Sequence, residues 1–202
     1  DIGNLLDNKS LSKISLNIDV DGKGFSEKYL DTSLKGAISD FAYNGYNYKN
    51  IAVNGNFKLP LYKGSIIVKD PNLKMNFDGL VNLSEKESQY DFQIQIDDAK
   101  LHKLHFVKDT ISQFKGSAIV DLHGNSIEDL HGNVYINNAT YLNSKNTYQF
   151  NDFNLSSSFD ENRIRTIKIT APEITNGSIV GKFKFADLND MVANSLGSLY
   201  TN

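Results

Sequence analysis

Two histidines, His102 and His105, stand three residues apart in the segment HKLH and are the first candidates for metal chemistry. Side chains at this spacing share one face of a helix but point to opposite faces of a strand. A zinc site needs at least one further protein ligand, and the acidic candidates just before the segment are Asp97 and Asp98. We interpret the histidines as loop residues and the two aspartates as a strand end.

Other motifs that could carry chemistry are incomplete. The segment DVDGKG at 19–24 is similar to the start of a calcium loop but lacks the later acidic ligands and the distal Glu. His123 and His131 each precede a glycine, which is typical of turns, and no G-x-S-x-G segment supports a nucleophile. We therefore predict that the protein is not an enzyme and uses no cofactor or metal.

The composition limits the class of protein. The chain has 202 residues, no cysteine and a formal net charge of −3. Disulfides are therefore excluded, and a basic footprint for nucleic acid is lacking. No apolar run approaches the roughly 20 residues of a transmembrane helix.

Apolar residues at every second position dominate the chain. In residues 73–83 they alternate with mostly polar residues, and after a polar turn the same pattern returns in residues 90–96. This period places one set of side chains on one face of a β-sheet and the other set on the opposite face. Similar segments occur between residues 14 and 185, so we predict an all-β, antiparallel protein with one apolar face.

Turn sequences separate the predicted strands. Gly, Asn, Asp and Pro predict turns at the positions that follow: residues 21–24, 44–47, 70–72, 123–125 and 175–177. Residues 98–112 are predicted to form a short helix or a wide loop. A short C-terminal helix is predicted at about 187–199, with Asp187 as its N-cap.

The chain also contains an imperfect internal repeat. The apolar positions of YNYKNIAVNGNF at 46–57 match those of YQFNDFNLSSSF at 148–159. We predict a single elongated segment of two repeats, about 11–113 and 114–190, because repeated units of this size stack on their neighbours.

An apolar sheet face must be covered, and the sequence contains no long amphipathic helix to cover it. If a second sheet or a closed barrel covers it, the chain is a structural or adhesin-like β-repeat without a ligand. If the face lines an open trough, an apolar ligand must occupy it, because so large an exposed apolar surface is unusual for a soluble monomer.

The alternating meander, the LxG turns at 34–36 and 130–132, and phrases such as NSIEDLHGNVYINNATY resemble the TamB/AsmA-like envelope proteins. The resemblance covers about residues 11–190, and the Asn-, Lys- and Asp-rich style is similar to that of Bacteroidetes-type members. It implies an elongated, curled meander that forms a U-shaped, taco-like groove with an apolar interior. The chain would be an internal or C-proximal fragment of a periplasmic protein whose inner-membrane anchor lies elsewhere.

The resemblance also implies a function. Members of this family are linked to movement of phospholipid between the inner and outer membranes, and to assembly of outer-membrane proteins. The implied partners are phospholipid acyl chains and, through the parent protein, an Omp85-type outer-membrane barrel. Cut strand edges also predict edge-to-edge self-association of the fragment.

The predicted groove lining consists of alternating apolar side chains from both repeats. They share a face because a slip of one residue would replace them with the charged set. The predicted contact residues for lipid or client protein are Val53, Phe57, Leu59, Leu73, Met75, Phe77, Val81, Leu83, Phe92, Ile94, Ile96, Ile167, Ile169, Phe183 and Phe185.

Overall fold

The computed structural model describes residues 11–23, 31–58, 60–84, 86–173 and 175–185. They form one antiparallel sheet in which the order of the strands is their order along the chain. The strands are β1 (Leu11–Lys23), β2 (Asp31–Tyr43), β3 (Tyr46–Lys58), β4 (Leu61–Asp70), β5 (Leu73–Asn82), β6 (Gln89–Ala99), β7 (Gln113–His123), β8 (His131–Leu142), β9 (Thr147–Phe159), β10 (Arg165–Ala171) and β11 (Thr175–Gly181).

The predicted all-β antiparallel meander is confirmed. Among the described strands, β1 pairs only with β2 and β11 pairs only with β10, so the sheet is open. The sheet is also uncurled, and the predicted U-shaped groove with an apolar interior is not seen in these residues. The predicted helix at 187–199 lies outside the described residues. Those residues include no helix with the length and hydropathy of a membrane span.

The division into two repeats stays a prediction. The strands that carry the matching sequences are β3 to β5 and β9 to β11, which lie six strands apart in the sheet. The strand order is therefore compatible with two units in tandem.

Cross-strand register gathers the apolar side chains into rows that run across the sheet. One row joins Val53, Ile66, Phe77 and Ile94 from β3 to β6. The neighbouring positions along each strand carry polar residues such as Asn54, and these form the opposite face. We call the face that carries the Val53 row the apolar face.

Two irregularities, one of which is a bulge, change the phase of the alternation. Asn50 in β3 and Asn138 in β8 have positive φ values of 55° and 48°, respectively. Such a conformation is uncommon except for Gly and Asn. The register shifts at Asn138, as in a β-bulge, whereas the register of β2 and β3 does not shift at Asn50. As a result, Tyr48 and Ile51 are both buried in the same cluster although they are three residues apart.

A stripe of three paired glycines, Gly55, Gly64 and Gly79, crosses the apolar face from β3 to β5. A Cβ atom at Gly55 or Gly64 would lie about 3 Å from the hydroxyl of Tyr62, at 3.1 and 3.0 Å respectively. This hydroxyl donates a hydrogen bond to the carbonyl of Ser65 at 3.0 Å. The missing side chains therefore let the Tyr62 ring lie along the sheet.

The turn predictions had mixed outcomes. The chain turns as predicted within 44–47, 70–72 and 123–125, and Asn44 and Gly45 have the positive φ values that a two-residue hairpin loop favours. The turns predicted at 21–24 and 175–177 were wrong. Residues 21–23 pair with β2, Gly24 lies outside the described residues, and residues 175–177 pair with β10. Cross-strand pairing outweighs the local turn preference there.

Candidate functional site

The connection between β6 and β7, residues 100–112, is a wide loop that we call the strap. Its first half is coiled by backbone hydrogen bonds from Leu104 N to Lys100 O at 3.1 Å and from Phe106 N to Leu101 O at 2.9 Å. The loop alternative of the sequence prediction is therefore confirmed for this segment. The coil turns Leu101 and Leu104 towards the sheet.

Hydrogen bonds connect the strap to three hairpin turns at one end of the strands. Its His105 carbonyl accepts a hydrogen bond from the Asn44 side chain at 3.0 Å, in the turn between β2 and β3. The Lys100 amide donates to the carbonyl of Asn72 at 2.9 Å, in the turn between β4 and β5. On the other side, Asp109 accepts hydrogen bonds from the Ser144 amide at 3.0 Å and hydroxyl at 2.6 Å.

Between the strap and the apolar face lies a cavity of about 450 Å³ that is open on one side. Its sixteen lining side chains come from β2 to β7 and from the strap, and all are apolar or aromatic. They are Ile38, Phe41, Tyr43, Tyr48, Ile51, Val53, Ile66, Val68, Leu73, Met75, Ile96, Ala99, Leu101, Leu104, Phe106 and Phe114.

The strap residues in this lining have different roles. Leu104 is only 1% exposed and belongs to the buried cluster with Tyr48, Ile51, Val53 and Val68. Phe106 lines the same cavity but is 52% exposed, so it stands where the cavity meets solvent. Leu104 therefore anchors the strap, whereas Phe106 is available to a ligand.

The chemistry of the cavity is apolar and unreactive. Among the described residues that line it, the polar side-chain groups are the hydroxyls of Tyr43 and Tyr48. Burial raises the pKa of Tyr48 to about 12, so its hydroxyl is neutral at physiological pH. The cavity can remove apolar groups from water, but it offers no charged side chain for acid–base chemistry.

A buried carboxylate, Asp70, holds together the ends of the strands near the strap. It is 1% exposed and accepts hydrogen bonds from the Tyr46 hydroxyl at 2.6 Å, the Lys49 amide at 2.9 Å and the Asn72 amide at 2.8 Å. Burial and then the bond to Asp70 raise the pKa of Tyr46. Because the buried carboxylate accepts three hydrogen bonds from the fold itself, we interpret this network as structural.

We predict that Asp109→Asn weakens the attachment of the strap in a pH-dependent way. Hydrogen bonds from Ser144, and a weaker one from the Ile111 amide, lower the pKa of Asp109. A lowered folded-state pKa stabilises the protein above the unfolded pKa, and this contribution is lost as the pH falls through the folded value.

Thermal unfolding of the parent and the variant at neutral pH and near pH 2 tests this prediction. We expect the variant to melt a few degrees lower at neutral pH and the difference to disappear in acid. An equal difference at both pH values would mean that the charge of Asp109 is not what holds the strap.

Four of the predicted contact residues, Val53, Leu73, Met75 and Ile96, line the cavity. Seven others lie on the same face beyond it, in three rows defined by the register. The rows contain Phe77 and Ile94, then Phe92 and Ile169, then Phe57, Val81 and Ile167.

Three of the remaining four predicted contact residues lie elsewhere, and the structure does not describe the fourth. Leu83 follows β5 and is 52% exposed, and Leu59 lies outside the described residues. Phe183 and Phe185 follow β11 and are half-buried. The structure therefore brings four of the predicted residues together under the strap and leaves the ten other described ones outside the cavity.

At the opposite end of the strands, the apolar face carries a buried arginine. Arg165 donates from Nη2 to the carbonyls of Glu128 at 2.6 Å and Leu130 at 3.3 Å. Its guanidinium lies over the rings of Phe159 at 4.6 Å and Phe185 at 4.7 Å. Desolvation lowers the pKa of Arg165. This side chain thus holds the connection between β7 and β8 over the ends of β9 and β10.

The histidines occupy two separate places. His102 and His105 lie in the strap, where the Nδ1 of His105 is 3.1 Å from the carbonyl of Asn44. His123 and His131 are directly paired between β7 and β8, with stacked rings 5.7 Å apart, and a nitrogen of each is 3.9 Å from the Glu87 carboxylate. In the described part of the chain, no three His, Cys, Asp or Glu residues are arranged to hold a metal ion.

The sequence prediction missed the strap residues Leu101, Leu104 and Phe106. A signal was present, because these apolar residues stand in a segment that also carries three lysines and two histidines. It was not used because the segment does not follow the strand period.

Comparison with known proteins gave no relatives. No protein-family model matches the chain, and neither the curated proteins nor the solved structures contain a significant match.

Proposed function

We propose that the apolar face and its cavity bind phospholipid acyl chains. The chain would serve as a segment of a periplasm-spanning envelope protein that carries or shelters these chains between the inner and outer membranes. The observation that carries this proposal is the cavity of about 450 Å³ with sixteen apolar or aromatic lining residues and one open side. The envelope setting rests on the sequence resemblance alone.

Three features favour an acyl chain over a polar small molecule. The lining has no charged group that could orient a polar ligand. Apolar residues continue in rows away from the cavity, so a long flexible chain finds further contacts outside it. Each Å² of apolar surface that such a ligand removes from water contributes about 25 cal/mol.

A second candidate function is assistance to outer-membrane protein assembly. The observation that favours it is that β1 and β11 each have one partner among the described strands. The free backbone groups of an edge strand can pair with a strand of a client protein. A structural or adhesin-like module without a ligand is the alternative to both candidates.

Photocrosslinking tests the acyl-chain proposal. A zwitterionic phospholipid with a photoreactive group at the end of one acyl chain is incubated with the protein, and the crosslinked peptides are mapped by mass spectrometry. We expect adducts on cavity residues such as Met75, Ile96 and Phe106, and competition by unlabelled lipid. Adducts spread over the polar face, or no saturable adducts, would contradict the proposal and favour a structural module.

A further inference from the structure

The strap combines an apolar underside with an unusual concentration of basic residues. Residues 100–108 read KLHKLHFVK, with three lysines, two histidines and no acidic residue, in a chain whose formal net charge is −3. Leu101, Leu104 and Phe106 line the cavity. Lys103 and Lys108 are exposed.

These two lysines carry charges that the fold does not neutralise. Within the described ranges, neither Lys103 nor Lys108 forms an ion pair or a hydrogen bond. The Nζ of Lys100 donates to the carbonyl of Pro71 at 3.0 Å, which holds this side chain against the turn and leaves its charge in place.

The nearby carboxylates accept hydrogen bonds from neutral groups of the fold and form no ion pair with these two lysines. Asp109 is held by Ser144, and Asp98 accepts a hydrogen bond from the Gln113 side chain at 2.6 Å. Asp70 is buried beneath the strap with its donors in place. With three lysines and one aspartate in residues 100–112, the strap carries a net positive charge on the same segment that contributes Leu101, Leu104 and Phe106 to the cavity lining.

We propose that the strap selects an anionic phospholipid. One acyl chain enters the cavity while Lys103 and Lys108 bind the phosphate of the anionic headgroup. This proposal rests on the proposed function. The ammonium group of a lysine attracts a phosphate electrostatically, and clustered basic residues beside an apolar surface favour anionic lipids. The rows of apolar side chains beyond the cavity can receive the second acyl chain, which a free fatty acid lacks.

Equilibrium binding of lipids with one fluorescent acyl chain tests this proposal. The probes are phosphatidylglycerol, phosphatidylcholine with the same acyl chains, and the corresponding free fatty acid. For the parent protein we expect about tenfold tighter binding of phosphatidylglycerol than of phosphatidylcholine, because the two lysines attract the anionic headgroup. The preference should shrink as salt is added.

The variant Lys103→Glu/Lys108→Glu should lose this preference for phosphatidylglycerol over phosphatidylcholine. The matched control is Lys63→Glu/Lys168→Glu, which makes the same change of net charge at exposed positions on the polar face. We expect the control to keep the preference. Because all four lysines are exposed, both variants should fold, and thermal unfolding verifies this.

The possible outcomes separate the two proposals. Equal binding of both phospholipids by the parent would overturn the headgroup proposal and leave the acyl-chain function standing. Loss of the preference in both double variants would reduce the effect to overall charge and would also overturn it. Tighter binding of the fatty acid than of phosphatidylglycerol would reject the phospholipid as ligand. Failure of every probe to bind the parent would overturn the acyl-chain function itself.

Discussion

Replacement of Gly79 by alanine is expected to lower the unfolding free energy by about 2–5 kcal/mol, because two penalties combine. Gly79 has a φ of 148°, which side-chain-bearing residues rarely adopt. A Cβ atom there would lie 2.4 Å from the Asp91 carbonyl oxygen and 2.4 Å from the Phe92 Cα in the paired strand. Both are backbone atoms and cannot rotate away, so the pairing of β5 with β6 must shift.

Thermal unfolding measures this effect, with a fall in Tm of roughly 5–15 °C for a chain of this size. Gly177→Ala is the matched control, since Gly177 occupies the same register row in β11 and a Cβ atom there has no neighbour within 4 Å. The control should melt within about 2 °C of the parent or slightly higher, because alanine reduces the entropy of the unfolded chain. Equal losses in both variants would mean that the close approach at Gly79 is not a constraint.

The sequence predicted the faces of the sheet well where the pleat is unbroken. In residues 90–96, alternation alone identified the side chains that lie on the apolar face, because successive residues of a strand point to opposite sides. The hairpin at Asn44 and Gly45 was equally accessible, since few residues adopt the two positive φ values that it needs.

Prediction failed where tertiary pairing decides the local conformation. Asn50 shifts the phase of β3, so a strict period of two would place Tyr48 on the wrong face. Asn176 and Gly177 have the composition of a turn, but they are paired along β10. Both outcomes depend on partners that are distant in sequence, which a local pattern does not contain.

The candidate site was only half accessible to sequence reasoning. Its floor follows from alternation, and Met75 and Ile96 were identified in that way. Its roof depends on a loop that reaches back over several strands to Asn44, 61 residues away from His105. Apolar residues such as Leu104 gain a structural meaning only when this contact is known.

Replacement of Met75 by aspartate is expected to abolish most acyl-chain binding while the protein stays folded. Met75 lies on the cavity floor between Val68 and Ile96 in the register, and it is half-buried. In the empty cavity water can reach the carboxylate through the open side, so we expect a loss of stability of only about 1–3 kcal/mol. An entering acyl chain would strip that water away and leave the charge without a partner, which should weaken binding at least about tenfold.

Crosslinking to the photoreactive zwitterionic phospholipid, measured beside thermal unfolding, separates the possible functions. The control is Ile67→Asp, which introduces the same charge one residue from Val68 but on the polar face, where Ile67 is 39% exposed. If the cavity holds acyl chains, Met75→Asp loses the saturable adducts and keeps a cooperative transition, whereas the control keeps both. If the face instead belongs to a closed core, Met75→Asp buries a lone charge and unfolds the protein, and the parent captures no lipid. That combination would make the chain a structural repeat and reject the lipid-binding function.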